Sequence, residues 1–407
     1  MKALFGNLVF AVLAQILGRG SLVLASLILA GGLSVSDFAG YANFHLTVNM
    51  LATCAALGIS VTAARAFATE TDNQSRGDIA TLWQISALSA LAAALLILLV
   101  PRWLGGEGPT VPTLYYASAV AIIVMGIVPQ GGIAGLAAFR GAFLASLAAA
   151  AITIAGAVTA RLTGSIETAI LTFIAAVSVR VAGETLTILR RTGPPRFTPL
   201  HRSLPALHRV LSMIGPMALV SVLAASGAWL AGQIILRTTG EAQFAAYAIG
   251  VQWYGLGLFL PSVLSKVIFS RQVAAATGGT ASPRILNHGI LAALAASLSF
   301  ACLGLIAEPW LTRLYGPAFA GSPWMIAGFL LAAVPFSVAN IIGNEIVARR
   351  LQKRWLLFSL IWLAILCATT WVLSPLGYIA AAIGFGLAGT ALSGLGFVQI
   401  HVQRNNL

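Results

Sequence analysis

The residues with the most chemistry in this chain are charges set where charge is expensive. Arg19 lies near the middle of a long apolar stretch, between Gly18 and Gly20. A guanidinium at the centre of a bilayer costs about 2.5–3.5 kcal/mol on insertion scales, so it needs a compensating partner. A carboxylate, helix-end carbonyls or an anion in a wet cavity would each serve. Phosphate oxygens match its planar fork in a bidentate way, and the two glycines allow a bend or a close helix approach. Arg180 and Glu184 stand four apart, share a helix face and can pair. Glu184 is also a carboxylate able to bind a proton or a cation. Glu345, with Asn340 and Asn344, could coordinate an ion, but Arg349 and Arg350 follow closely and fit a solvated ion pair. His45 and Asn49 share another face, suited to sugar hydroxyls or to interhelical hydrogen bonds. Trp229, Trp253 and Tyr254 could stack on sugar rings or simply pack. Arg65 and Arg271 each close a hydrophobic helix on its basic side.

Other chemistries lack their residues. No glycine-rich phosphate loop, metal-ligand spacing or nucleophile constellation occurs, so no catalytic residue, cofactor or metal is expected. Cys54, Cys302 and Cys367 all lie in apolar stretches and read as small buried residues.

The elements that must position these groups follow from composition. Of 407 residues only 8% are charged and 59% are hydrophobic, against about 25% charged in a soluble domain. That excludes a soluble enzyme, a disordered chain and a disulfide-rich module. It predicts an all-α, polytopic membrane protein. Twelve apolar segments are long enough to cross a bilayer: 8–30, 40–62, 79–100, 114–138, 143–161, 166–189, 210–236, 244–268, 285–307, 324–347, 355–374 and 378–399. They are too long for strands of an outer-membrane barrel. The N-terminal run resumes after Arg19 and continues to Ala30, which reads as a span rather than a cleaved signal.

Orientation follows from the basic residues. With both termini cytoplasmic, seventeen of the 23 Lys and Arg fall inside, four outside and two within helices. So lopsided a distribution obeys the positive-inside rule. The net charge of +13 therefore sets topology, and nucleic acid is not an expected partner.

The chain also repeats itself. Phe38-Ala39-Gly40-Tyr41-Ala42 matches Phe244-Ala245-Ala246-Tyr247-Ala248 at an offset of 206. The same offset aligns Arg65 with Arg271 and Ile79 with Ile285. One inserted residue later, Trp103-Leu104 meets Trp310-Leu311. Six helices per half return the chain to its starting side, so the halves share an orientation, with a central cavity expected between them. The predicted domains are bundles 1–189 and 210–407, joined by a basic, proline-bearing cytoplasmic linker, 190–209.

Several local patterns carry a resemblance. They are Ser36-Asp37-Phe38-Ala39-Gly40-Tyr41, Leu57-Gly58-Ile59 running to Arg65, Tyr247 through Pro261-Ser262-Val263-Leu264 to Arg271, and Leu314-Tyr315-Gly316-Pro317-Ala318-Phe319. In this order, over nearly the whole chain, they resemble the polysaccharide (Wzx-like) flippases of the multidrug/oligosaccharidyl-lipid/polysaccharide (MOP) exporter superfamily. The resemblance implies a flippase for a polyprenyl-diphosphate-linked oligosaccharide in the bacterial inner membrane, serving surface polysaccharide biosynthesis by alternating access. It implies that arginines on helices 1, 2 and 8, here Arg19, Arg65 and Arg271, line a cationic cavity for the diphosphate. Membrane lipids, a proton or sodium ion and polysaccharide polymerase machinery are the implied partners. A cation-coupled multidrug antiporter of the same fold is the alternative. Its cavity needs carboxylates, and helices 1, 2, 7 and 8 hold none within the membrane. A membrane-embedded glycan polymerase or glycosyltransferase would need a large outer loop with acid and base residues, and the longest, predicted from Glu308 to Pro323, has few.

Overall fold

The computed structural model describes residues 2–56, 58–68, 73–99, 111–195, 204–265, 268, 272, 283–349 and 351–405. Among them there is no strand. The α-helices are α1 (Lys2–Ala30), α2 (Val35–Ala56), α3 (Ile59–Ala68), α4 (Asn73–Leu99), α5 (Thr113–Met125), α6 (Ile127–Gly135), α7 (Phe139–Thr163), α8 (Ile166–Thr192), α9 (Leu204–Thr239), α10 (Glu241–Gly257), α11 (Pro283–Leu314), α12 (Ala327–Ala348), α13 (Gln352–Val372) and α14 (Tyr378–Asn405). The fold is an all-α polytopic membrane fold. Its outward side chains are those of a protein solvated by lipid: Leu99 is 78% exposed, Leu162 81% and Leu303 63%. Water would not tolerate so much leucine.

Eleven helical stretches among the described residues are long and apolar enough to cross a membrane, where the sequence predicts twelve. The one that falls short in hydropathy is α2. Its 22 residues span about 33 Å at 1.5 Å per residue, enough for a hydrocarbon core of about 30 Å. Asn43, His45, Thr47 and Asn49 make it polar instead. The predicted helix 40–62 is also broken, because Gly58 takes a φ of 73°, a left-handed conformation that glycine adopts without steric cost. Arg65 therefore belongs to the separate α3 and does not end the same helix as His45. The outer loop predicted to begin at Glu308 begins later, since α11 stays helical to Leu314.

The chain divides into two compact units, Met1–Ala225 and Ser226–Leu407, with the boundary inside α9. Arg190 and Arg191 of the predicted linker finish α8, and linker residues 196–203 lie outside the described residues.

In the first unit α1 packs along α7, α7 along α8, and α5 against α2, α4 and α8. The contact of α3 with α6 shows why small residues matter in lipid. A Cβ on Gly131 would stand 2.5 Å from the Ser60 carbonyl oxygen, and one on Gly135 2.4 Å from that of Ala64. Gly131 and Gly135 thus form a GxxxG surface that lets two backbones touch, the usual route to association where no hydrophobic force acts between helices.

In the second unit α12 is central, packed by α10, α11 and α14. The interior is aromatic: Tyr247, Phe329, Phe385, Tyr254, Phe336 and Trp362 form a chain of ring contacts with centroids 4.7–6.3 Å apart. The start of α12 has no side-chain cap of its own. Glu308, buried on α11, accepts the Ile326 amide at 3.1 Å and faces the amides of Met325 and Ala327. A carboxylate there satisfies orphan donors and complements the positive helix end. The two FAxYA segments occupy corresponding places in their helices, since α2 starts at Val35 and α10 at Glu241, 206 apart, and both segments are buried around Phe38/Tyr41 and Phe244/Tyr247.

Candidate functional site

The charges buried in apolar sequence converge within the first unit. α8 must turn a polar stripe inward: Phe173, Arg180 and Glu184 recur at seven and four residues and so lie on one side. The Arg180 Nε donates to Glu184 Oε1 at 3.0 Å, with the Glu184 side chain only 5% exposed and that of Arg180 40%. The guanidinium does not end at this pair. Its Nη1 reaches across to α1, where a Cβ built on Gly18 would stand 3.8 Å away. Gly18 adjoins Arg19, so α8 delivers a second guanidinium to the backbone of α1 at the residue preceding the first. A larger residue at Gly18 would crowd that approach. Arg19 itself is exposed, and its side chain borders the space beside α1 at mid-span. Hydrocarbon is the least favourable occupant; water or an anion is suited to it.

Two helical turns from Arg180, about 10 Å along α8, Phe173 presents its ring to His45 of α2, edge to face with centroids 5.2 Å apart. Asn49 Nδ2 lies 3.2 Å from His45 Nδ1, and Asn49 is exposed on the same face. The i,i+4 pairs expected from sequence, Arg180–Glu184 and His45–Asn49, are both formed, and α8 links them. The sequence contains no signal for Phe173 or for the reach of Arg180 to Gly18, because both are contacts between helices distant in the chain.

The remaining candidates sit elsewhere. Arg65 is exposed on α3. Arg271 lies outside the described residues. In the second unit Glu345, buried on α12, accepts from Arg349 at 2.8 Å, while Asn344 Nδ2 donates to Ser265 Oγ at 2.5 Å. Trp253 Nε1 donates to the Tyr315 hydroxyl at 3.0 Å, and Tyr254 is packed in the aromatic chain. Among the described residues no group of three His, Cys, Asp or Glu side chains could hold a metal.

The carboxylates show what these spans can offer a ligand. Glu184 and Glu345 are each engaged by an arginine, and Glu308 by backbone amides. Arg19 and the outer end of Arg180 supply the positive charge at mid-span.

No protein-family model matches the chain. It is similar to the EPS I polysaccharide export inner membrane protein EpsE of Ralstonia nicotianae, 22% identical over 391 residues, covering 92% of this chain and 88% of that one. The protein of the same name from Ralstonia solanacearum is 23% identical over 394 residues, with the same coverage. In structure it is similar to a multidrug resistance MATE family transporter of the MOP superfamily in its inward-facing conformation, with a TM-score of 0.70, 17% identity and 98% of each chain covered. A MOP superfamily transporter from Pyrococcus furiosus, for which the reverse polarity of the binding pocket is said to suggest a different function, also has a TM-score of 0.70, at 14% identity, covering 97% of this chain and 94% of that one. At these identities the structural likeness is one of fold. Sequence and fold together thus agree with the resemblance to polysaccharide exporters of the MOP superfamily.

Proposed function

We propose that this protein is an inner-membrane flippase that translocates a polyprenyl-diphosphate-linked oligosaccharide for surface polysaccharide biosynthesis. The observation that carries the reading is the approach of Arg180 to Gly18, which brings a second guanidinium to the backbone of α1 one residue before Arg19. Two planar forks suit a diphosphate, whose oxygens accept bidentate, charge-assisted hydrogen bonds. The polyprenyl tail stays in lipid while the headgroup enters a wet cavity, and translocation proceeds by alternating access. Both termini are cytoplasmic in this reading. Arg65 and Arg271 are the further headgroup-binding candidates that the resemblance implies, and His45 and Asn49 meet the first sugar. Glu184 is the coupling carboxylate, with Glu345 the second candidate and a proton or sodium ion as the coupling species. The relatives named as polysaccharide export proteins support the substrate class. The engaged state of Glu184, Glu345 and Glu308 favours an anionic cargo over a cationic drug. The test is complementation. A strain lacking this protein but carrying Arg19→Ala should keep the protein in its membrane and lose surface polysaccharide. Normal polysaccharide with normal expression defeats the proposal.

A further inference from the structure

We infer that binding of the anionic headgroup at Arg19 and Arg180 is coupled to uptake of one proton by Glu184, because both compete for the same guanidinium. This rests on the flippase reading and adds the linkage between its anion and its proton. The geometry sets the competition. One edge of Arg180 is committed to Glu184 through Nε at 3.0 Å, and its other end, Nη1, lies at Gly18 beside Arg19. With Glu184 ionised, the locus of Arg19, Arg180 and Glu184 carries a net single positive charge. A diphosphate that grips Arg180 then shares it with a second anion, in a setting where water screens poorly. When Glu184 takes a proton from the wet space, an O–H bond forms, the competing charge disappears and the locus becomes doubly positive. The anion therefore binds best to the protonated protein, and by reciprocity the bound anion draws the proton on. Proton and headgroup are cooperative ligands here, not exchanging ones.

Few other groups complicate this assignment. Of the elements around α8, α2 carries Asp37, Tyr41, His45 and Cys54, α5 carries Tyr115 and Tyr116, and α7 carries Arg140 and Arg161, while α1, reached by Arg180 at Gly18, carries Lys2 and Arg19; the described residues of α6 carry no titratable side chain. Tyr115 is bonded to Glu167, seventeen residues from Glu184 and about 25 Å along α8. Arg161 lies over Gly32 at that same far end. Asp37 is bonded to Ser34 at the start of α2. His45 is held by Asn49 and Phe173. Arg140 precedes Gly141, which packs on Thr187.

The test uses the full-length protein in nanodiscs with undecaprenyl diphosphate as the probe. Calorimetry in buffers of different ionisation enthalpy counts the protons taken up on binding. Wild type should take up close to one proton more than Glu184→Gln, which retains the ligand's own titration. Its affinity should fall more than tenfold as pH rises through the ionisation of Glu184, while Glu184→Gln holds the low-pH affinity throughout. Arg180→Gln, which removes the contested guanidinium, should also lose the extra proton, and it serves if Glu184→Gln fails to insert. Binding that Arg19→Ala weakens, but with equal proton counts in wild type and these variants, overturns the coupling and leaves the flippase reading intact. Affinity that rises with pH in wild type also overturns it, because proton and anion would then exclude one another. No binding of the diphosphate lipid by wild type defeats both.

Discussion

Helices α2 and α10 begin 206 residues apart and share the buried FAxYA segment, yet they have become different objects. Where α2 carries His45 and Asn49, α10 carries Val251 and Gly255 at the same offset. The tyrosines of the motif stay buried in both, but beyond them α2 turns polar and meets α8 through Phe173, whereas α10 enters an aromatic interior. The same holds for the helices that precede them. α1 carries Arg19, and residues 222–228, around the same offset in α9, carry no charge. A duplicated scaffold thus concentrates mid-membrane polarity in one unit and rigid apolar packing in the other. Polar groups at depth are costly and are kept where they bind or couple. An interior of interlocked rings gains stability from area and geometry without that cost.

The comparison is broken most severely by removing the charge that has no counterpart. Arg19→Ala should lower polysaccharide export more than tenfold, the scale of losing one or two charge-assisted hydrogen bonds, with no loss of protein from the membrane. Arg19→Lys should fall well short of wild type because it keeps the charge and loses the fork. An export assay beside a membrane blot reads both, and equal export by the Ala variant would erase the distinction between the units.

The next effect belongs to the aromatic unit. Glu308→Ala leaves the amides at the start of α12 without their buried acceptor and should cost about 1–3 kcal/mol of stability. The check is a lower melting temperature in detergent, with Arg19→Ala melting like wild type. A Glu308→Ala protein that melts normally would show that the carboxylate is not what holds α12.

A smaller effect tests whether the polar face of α2 is functional. His45→Val with Asn49→Gly makes α2 resemble α10 and should reduce export several-fold. The reverse change Gly255→Asn, where an added Cβ meets nothing within 4 Å, should leave export unchanged. Equal effects from the two changes would mean the halves share the work. The least perturbing experiment concerns orientation: cysteines at Gly77 and Gly321, both exposed with open space around them, should react with an impermeant thiol reagent from the inside and the outside respectively. The opposite accessibility would invert the topology.

Much of this was legible in the residues. The apolar segments that became α4, α7, α8, α11, α13 and α14 were visible because lipid demands long uninterrupted runs. The pairs Arg180–Glu184, His45–Asn49 and Glu345–Arg349 followed from four-residue spacing on a helix. Harder to read was the interruption of α2 at Gly58, since a glycine in an apolar run is as often a packing surface as a break. The split of the predicted helix 114–138 at Gly126 was hidden for the same reason, and there a Cβ would stand 2.5 Å from the Val181 side chain. Glu308 looked like a loop residue, and its role as the acceptor for α12 depends on amides seventeen to nineteen positions later.

By itself the sequence determined the solvent, the element type and the local pairs, because hydropathy and helical period act within a few turns. Only the tertiary structure decided that Arg180 spends one end on Glu184 and extends the other to Gly18, and that Phe173 joins this locus to His45. Those contacts link α8 to α1 and α2, which lie more than a hundred residues earlier in the sequence. They are set by how closely small residues let helices approach, which no period along a single helix encodes.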